Sequence, residues 1–251
     1  MPNDFEQMAK VLQSAHILVE NVPGLQDRGR DVFNRFLNLI REAGYNVCFD
    51  VVNAKNYGVP QNRRRLILIA SRLFQPVIPP ITHGEGDGLL PYVTVRNAIG
   101  RFPAIRAGEE CAAVPNHRAA NLQPINLQRL AQTPHDGGDR HQWPQNLILP
   151  CHANGGYTDV YGRMHWDQVS PTLTSKCYSL SNGRFGHPEQ DRAISLREAA
   201  SIQTFRDDYI FYGNLMEIGR QIGNAVPVLL AQNLGAYILQ EHNRAMHPQD
   251  A

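Results

Sequence analysis

The chain has 251 residues, of which 42% are hydrophobic, and its formal net charge at pH 7 is +1. That length allows one hydrophobic core, or one core with a smaller module beside it, while the near-zero charge excludes a general basic surface for nucleic acid and leaves that role to local clusters. The four cysteines are widely spaced and no apolar run approaches the roughly 20 residues of a membrane span, so we expect a cytoplasmic protein with free thiols and no membrane association.

The first regular element in the chain is a short apolar segment at residues 16–20. It ends in Glu20 and is followed by a turn at Pro23 and Gly24. Apolar segments of this length between turn residues are typical of buried strands. The sequence therefore predicts that the Glu20 carboxyl lies at the C-terminal end of a strand, where it is either a functional group or, as the alternative, a plain surface residue.

A helix and two further strands follow the strand that ends at Glu20. Apolar residues recur at helical spacing between residues 29 and 43, and Gly44 supplies a stop signal. Strands are predicted at residues 46–52 and 65–70, and the loop between them carries Pro60 and three arginines at 63–65. Three consecutive arginines beside an acid at a strand end favour a site for a base linked to an anion; an ordinary solvated turn is the alternative.

Regular periodicity is lost between residues 73 and 187 and returns near the C-terminus. The middle region is rich in Pro, Gly, His and Asn, which indicates a loop-rich module. Ser195 and Glu198 form a capping box at the start of a helix, and a second helix is predicted to open at residues 223–227, with Pro227 in its first turn. We therefore assign residues 1–72 and 188–251 to one α/β body and residues 73–187 to an inserted module.

Two features of the middle region bear on ligands. Several histidines there lack the spacing and the acidic neighbours of a metal site, so we expect polar loop residues and no metal; they are His135, His141, His152 and His165. Arg184 follows a turn formed by Asn182 and Gly183, and it is predicted to reach a guanine edge or a phosphate.

Four blocks of the sequence, taken in order, resemble the C-terminal part of a DNA (cytosine-5) methyltransferase. Each block alone is short, but their order, with a variable region between the second and the third, is specific to that family. The blocks are Glu20-Asn21-Val22, Gln61-Asn62-Arg63-Arg64-Arg65, residues 192–205 with Arg197-Glu198-Ala199-Ala200 and Gln203-Thr204-Phe205, and Gln221-Ile222-Gly223-Asn224-Ala225-Val226-Pro227.

The resemblance implies a fold and a reaction. The fold is a doubly wound α/β sheet that binds S-adenosylmethionine, with an inserted target-recognition domain at residues 73–187 of this chain. In the reaction, a cysteine thiolate adds to C6 of a cytosine flipped out of double-stranded DNA, while an acid of the enzyme engages N3. C5 then takes the methyl group, and loss of the C5 proton releases the thiolate.

The catalytic positions of the family fall on Glu20, Arg63 and Arg65 of this chain. Glu20 matches the acid that engages N3, a role that suits a carboxyl beside apolar residues because such a group tends to keep its proton. One arginine is expected to contact the cytosine O2, and the other a phosphate or the catalytic loop. We assign the base contact to Arg65.

The resemblance also implies where the cofactor and the DNA bind. Asn224, Ala225 and Val226 match the block at the methionine end of the cofactor, near a helix start that favours an anion. Thr172 resembles the residue that holds the phosphate of the flipped nucleotide. The other residues expected to contact DNA are Asn21, Gln61, Arg64 and Arg184.

Two parts of the family pattern have no match in this chain. They are the glycine-rich cofactor loop and the Pro-Cys dipeptide that carries the nucleophile; in the family both precede the Glu-Asn-Val strand, whereas here only residues 1–15 precede it. Cys151, which follows Pro150, is a superficial match inside the middle region. We therefore expect no nucleophile in this chain.

The missing parts indicate one half of a split enzyme. Without the first half of the sheet, the strand that ends at Glu20 is expected to expose an apolar edge, which favours pairing with another chain. We therefore expect the smaller subunit of a two-chain methyltransferase, inactive alone and sharing S-adenosylmethionine with a partner polypeptide. The alternatives are an inactive DNA-binding remnant of such an enzyme and a degenerate gene fragment.

Overall fold

The computed structural model describes residues 14–149 and 159–247. Three strands form one sheet, namely β1 (His16–Asn21), β2 (Asn46–Asn53) and β3 (Arg64–Ser71). They lie in the order β1-β3-β2, and both pairs are antiparallel. Each strand agrees with its predicted bounds to within about one residue at either end, so the apolar pattern located the sheet correctly.

The described residues also form α-helices and short 3-10 helices. The α-helices are α1 (Arg30–Glu42), α2 (Val95–Ile99), α3 (Pro124–Ala131), α4 (Leu196–Ile202), α5 (Leu215–Asn224) and α6 (Val228–Met246). The 3-10 helices are Pro23–Leu25, Ala54–Tyr57, Arg140–Gln142, Gln145–Leu147 and Leu180–Asn182.

The central strand β3 is buried because helices cover both faces of the sheet. Its residues 66–70 are at most 2% exposed, as the near-continuous apolar sequence of a doubly covered strand requires. Alternate residues point to opposite faces. Leu66 and Leu68 pack against α1, and Ile67 and Ile69 pack against α6. The result is an α/β arrangement of the kind that the sequence predicted.

The C-terminal region holds two helices that meet at residues 225–227, where the sequence suggested a single helix start. Helix α5 ends at Asn224, Ala225 is extended (φ −66°, ψ 148°), and α6 begins at Val228. Pro227 explains the break, because a proline disfavours the helical conformation of the residue before it and has no N–H to donate. The predicted helix start at residues 223–227 is therefore wrong: residues 223 and 224 end α5, and α6 begins at Val228.

The middle region packs together with the C-terminal region. Its described residues contain only two short α-helices, α2 and α3. Val95, Ile99 and Phe185 from this region share one apolar cluster with Leu196 and Ile222. The domain boundary at residue 187 therefore stays a prediction from sequence. The apolar cluster contains residues from both sides of that boundary.

A buried ion pair anchors the start of α4 in that shared core. The Nη1 and Nη2 atoms of Arg192 each lie 2.7 Å from an oxygen of Glu198, and both side chains are at most 1% exposed. Burial opposes ionisation of the Glu198 carboxyl, but the hydrogen bonds from Arg192 outweigh it and hold its pKa below the usual value. Glu198 also accepts from the Ser195 amide, which confirms the predicted capping box.

One segment, Leu215–Met246, is long and apolar enough to cross a membrane, with a mean hydropathy of 1.3 in its most apolar window. Length and composition are its only support, and a core helix has the same properties. Leu230 and Leu234 in this segment pack against the sheet, and the helix is interrupted before Val228. The structure therefore packs one side of this segment against the sheet, through Leu230 and Leu234, and leaves much of the rest exposed.

The buried imidazole of His187 links the stability of this core to pH. Its Nδ1 accepts hydrogen bonds from the amides of Glu189 (3.1 Å) and Gln190 (2.9 Å), so this nitrogen carries no proton in the folded protein. Burial lowers the pKa of His187 to about 4, against an opposing contribution from Glu198. Protonating this ring would break both amide hydrogen bonds.

We predict that the free energy of unfolding falls as the pH drops from 6.5, the ordinary pKa of histidine, towards about 4. In that range the unfolded chain binds a proton at His187 and the folded chain does not, so up to about 3 kcal/mol present at neutral pH is lost. Urea unfolding at several pH values measures the loss. His187→Asn, which keeps an acceptor, should flatten the pH dependence, and the exposed control His135→Asn should not; equal flattening by both variants contradicts the assignment.

Candidate functional site

The centre of the site is an ion pair between Glu20 and Arg65, at the end of the sheet where β1 finishes and β3 begins. The two strands are antiparallel neighbours, which brings these side chains together. Arg65 Nε lies 2.7 Å from Glu20 Oε1, and the two side chains are 13% and 22% exposed. Glu20 Oε1 is buried. It accepts no hydrogen bond from the described residues, because the N–H of Arg65 Nε does not point at it.

The ion pair presents an acceptor and a donor side by side at a partly open surface. The Arg65 guanidinium is fixed from behind by a hydrogen bond of 2.8 Å from its Nη1 to the Arg64 carbonyl. A fixed guanidinium beside a carboxylate whose side chain is 22% exposed is complementary to a planar ring that offers a carbonyl next to a ring nitrogen and an amine. A pyrimidine base has such an edge.

Arg63 lies behind this pair and is buried, with 2% of its surface exposed. Its guanidinium donates to the carbonyls of Leu173 (2.9 Å), Gly223 (3.0 Å) and Ala225 (3.2 Å). Burial lowers the pKa of Arg63 to about 10, and the charge of Arg65 acts in the same direction. The sequence predicted a catalytic contact for Arg63, but the structure places its guanidinium on backbone carbonyls inside the protein.

Gln61 is also inside the protein, although the sequence predicted a DNA contact. Its side chain is 0% exposed. Its Nε2 donates to Gln203 Oε1 (3.1 Å), and its Oε1 accepts from the Leu173 amide (2.9 Å). DNA cannot reach a side chain in this position, so the DNA contact assigned to Gln61 is not compatible with the structure.

The other predicted DNA contacts near the ion pair lie at the surface. Asn21 and Arg64 are exposed, one at the end of β1 and the other at the start of β3. Thr172 lies alongside the turn before β3, and its hydroxyl donates to the Asn62 carbonyl at 2.6 Å. The structure therefore brings Asn21, Arg64 and Thr172 to the same end of the sheet as Glu20.

Arg184 is held by the protein. Its Nη1 donates to the carbonyl of Gly137 at 2.7 Å, and its side chain is 19% exposed. Asp139 and Asp159 flank the guanidinium at 3.8 and 4.0 Å. Two nearby carboxylates oppose the approach of a phosphate, so the predicted DNA contact of Arg184 requires these interactions to break.

The predicted cofactor block, Asn224 to Val226, forms the link between α5 and α6. The Asn224 side chain is exposed, and among the described residues no partner is found for the Val226 amide. These unused groups fit the amino and carboxylate groups of a methionine moiety. The start of α6 does not, because its first amides, those of Val228 and Leu229, already bond to Gln203 O (3.1 Å) and Thr204 Oγ1 (2.9 Å).

Sequence reasoning missed the roles of Gln203 and Thr204. Both lie in a block that was recognised, but nothing in that block shows that their side chains reach the link between α5 and α6. Thr204 has a left-handed backbone (φ 63°), which is rare for a β-branched residue and is visible only in the structure. Cys151 lies outside the described residues, and within them no three His, Cys, Asp or Glu side chains form a metal-binding group.

Comparison with known proteins identifies the family of this chain. The sequence matches the C-5 cytosine-specific DNA methylases over residues 3–240. It is 43% identical over 237 residues to the type II methylase M.HgiDII of Herpetosiphon aurantiacus, covering 91% of this chain and 66% of that protein. It is 33% identical over 243 residues to the type II methyltransferase M1.HphI of Haemophilus parahaemolyticus, covering 94% of this chain and 60% of that protein.

Two solved structures share the fold. One is a prophage-encoded E. coli protein assigned as a DNA modification methyltransferase, with a TM-score of 0.66, 20% identity, and 94% of this chain and 73% of that chain covered. The other is the S. pombe methyltransferase Dnmt2, with a TM-score of 0.58, 14% identity, and 96% and 72% of the two chains covered. At such low identity these likenesses define the fold class alone, an α/β methyltransferase fold.

The chain belongs to the family of C-5 cytosine-specific DNA methylases. Enzymes of this family use S-adenosylmethionine and act on double-stranded DNA. This chain spans 66% of the length of M.HgiDII and 60% of that of M1.HphI, which in both cases is less than two thirds.

The buried position of Arg63 predicts a strong effect on stability. Arg63→Lys should lower the free energy of unfolding by about 2 kcal/mol or more, because an ammonium cannot reach the carbonyls on both sides of the guanidinium. Arg64→Lys, at the adjacent exposed position, should change it by less than about 0.5 kcal/mol. Urea unfolding of the two variants checks this, and equal stabilities contradict the bonded role of Arg63.

Proposed function

We propose that this chain is the target-recognising subunit of a DNA cytosine-5 methyltransferase that is assembled from two polypeptides. The observation that carries the proposal is the Glu20–Arg65 pair, a base-complementary site at the end of β1 and β3 in a chain of this family. Such an enzyme works where DNA and S-adenosylmethionine occur together, so we place it in the cytoplasm, in a restriction-modification system like those of its type II relatives.

The pair acts on the cytosine from one edge. Glu20 shares a proton with N3 and accepts from the exocyclic amine, and Arg65 donates to O2, which makes C6 more open to attack by a thiolate. Bound S-adenosylmethionine supplies the methyl group for C5. Asn224 and the Val226 amide would hold its methionine end. Arg64 binds a phosphate next to a base flipped out of the duplex, and Thr172 binds one when its hydroxyl leaves the Asn62 carbonyl.

The partner polypeptide supplies the glycine-rich loop and the cysteine. Within the described residues β1 pairs only with β3, so the other edge of β1 is open to another strand. Leu18 of β1 is 43% exposed and lies opposite Ile69, on the face where α6 packs against β3 and contacts β1 at His16 through His242. This chain spans 66% and 60% of the length of these two relatives. A partner with the remaining length suits this edge.

Co-expression tests whether two polypeptides form the enzyme. A chain carrying the glycine-rich loop and Pro-Cys, encoded beside this one, is expressed with it, and transfer of labelled methyl from S-adenosylmethionine to DNA is measured. We expect transfer only from the mixture. A mixture that stays inactive on all DNA sequences while this chain still binds DNA contradicts the proposal and favours the inactive remnant.

The edge of β1 makes the same assay more specific. Leu18→Arg should abolish co-purification and methyl transfer without unfolding the chain, because it places a charge on the apolar surface at that edge. Leu90→Arg is the matched control, since Leu90 is 59% exposed and lies in the middle region, away from the sheet. If Leu18→Arg still assembles, the partner does not dock at this edge.

Replacing the acid separates chemistry from DNA binding. Glu20→Gln in the assembled enzyme should slow methyl transfer by about a hundredfold or more, because the amide cannot give a proton to N3. Affinity for DNA, measured by fluorescence anisotropy, should change by less than about threefold, since phosphate contacts supply most of it. Unchanged turnover would remove Glu20 from the mechanism.

A further inference from the structure

Two glutamines connect the base side of the site with the cofactor block through the interior of the protein. Gln203 is 0% exposed, and its Nε2 donates to the carbonyls of Ile222 (2.7 Å) and Ala225 (3.3 Å). Its Oε1 accepts from Gln61, whose own Oε1 binds the Leu173 amide. A continuous chain of buried hydrogen bonds therefore runs from the arginine turn to the link between α5 and α6.

The same residues fix the start of α6. The carbonyl of Gln203 accepts from the Val228 amide, and the hydroxyl of Thr204 accepts from the Leu229 amide. A helix leaves its first amides without partners inside the helix, and Pro227 has no capping side chain. Thr204 adopts its unfavourable left-handed backbone at the position where its hydroxyl caps α6.

We propose that Gln61 and Gln203 are positioning residues that couple occupation of the base site to binding of S-adenosylmethionine. The proposal rests on the function proposed above. Gln61 lies two residues before Arg63 and four before Arg65, so any shift of the turn on base binding moves its amide. Gln203 passes that movement to the carbonyl of Ala225, between the cofactor groups of Asn224 and Val226. Neither glutamine touches the base or the cofactor.

Buried amides suit this role because they accept little displacement. A buried amide that loses its partner costs about 1–3 kcal/mol, so the two glutamines move together or not at all. Coupling of this kind is reciprocal: if the base site favours the cofactor, the cofactor favours the base to the same degree.

Hydrogen exchange of the α5–α6 link in this chain tests the connection without any activity. Gln61→Met, which is similar in size and has no amide, should speed exchange of the Val228 and Leu229 amides about tenfold, the effect of losing one buried hydrogen bond. Gln61→Glu keeps the acceptor for Leu173 and turns the donor to Gln203 into an acceptor, with the added charge next to the Arg63 guanidinium, 3.5 Å from Gln61 Oε1. Gln61→Glu should also speed exchange of the Val228 and Leu229 amides about tenfold. It replaces Gln61→Met in the experiment if that variant does not fold.

Thr133→Val is the matched control for general destabilisation. The Thr133 hydroxyl is buried and bonds to the Arg129 carbonyl and the Trp143 indole, away from the site. This variant should destabilise the fold but leave exchange at residues 228–229 at the level expected from its global stability. The proposal is overturned if the folded Gln61 variants change that exchange no more than Thr133→Val does.

Binding measurements on the assembled two-chain enzyme test the coupling itself. Gln61→Met and Gln203→Met should each weaken about tenfold the effect of bound DNA on the Kd for S-adenosylmethionine, and the double variant should weaken it no further, because both break one connection. The effect of bound S-adenosylmethionine on the Kd for DNA should weaken to the same degree, whereas affinity for DNA without S-adenosylmethionine should change by less than about twofold. Independent, multiplying effects contradict the proposal. If wild type fails to bind S-adenosylmethionine, the proposed function fails, and the exchange result still decides the connection.

Discussion

The guanidinium of Arg63 lies where three distant segments meet: the turn before β3, the segment at Leu173, and the link between α5 and α6. Burying a cation costs several kcal/mol unless polar groups surround it. Here backbone carbonyls accept from Nη1 and Nη2, and Nε finds no acceptor among the described residues. The group stays charged at neutral pH because its pKa falls only to about 10. The positions of the base site and of the cofactor block relative to each other follow from this one bonded charge.

The turn before β3 explains how one short motif serves both interior and surface. The amide of Arg63 bonds to the carbonyl of Gln61 at 3.0 Å inside this turn, and Arg65 lies in the strand that follows. Exposure rises along the motif: Gln61 is 0% exposed, Arg63 is 2% exposed, and the Arg65 side chain is 13% exposed. Only the last of the three is placed to meet a ligand, and the first two hold it in position.

Buried arginines solve a related problem in the loop-rich middle region. Backbone carbonyls that lack strand or helix partners must find donors elsewhere when they are buried. Arg163 is 0% exposed and donates to several such carbonyls, and Arg197 does the same around the end of α4. A region with little regular structure therefore shares a close-packed core with its neighbours.

These two uses of arginine mark the limit of what the sequence could predict. The strands and α1 followed from periodicity. A strand end next to an arginine turn indicated a site at Glu20 and residues 63–65, and the choice of Arg65 within that turn came from the family resemblance. The interior roles of Gln61, Arg63 and Gln203 did not, since a buried arginine that binds carbonyls and an exposed one that binds phosphate look alike in sequence. Pro227 is compatible both with the first turn of a helix and with a break before one, so the sequence alone did not locate the start of α6.

Strand β1 carries both the proposed contact with the partner chain, at Leu18, and the proposed catalytic acid, Glu20. Leu18 and Glu20 are two residues apart on that strand and therefore face the same side of the sheet. A partner that covers Leu18 must also come close to the Glu20–Arg65 pair and displace water from it. Interactions between charges strengthen when water is excluded, so the pair acts on a base most strongly in the assembled site. Association at this edge would then complete the pocket and set the electrostatics of its acid in one step.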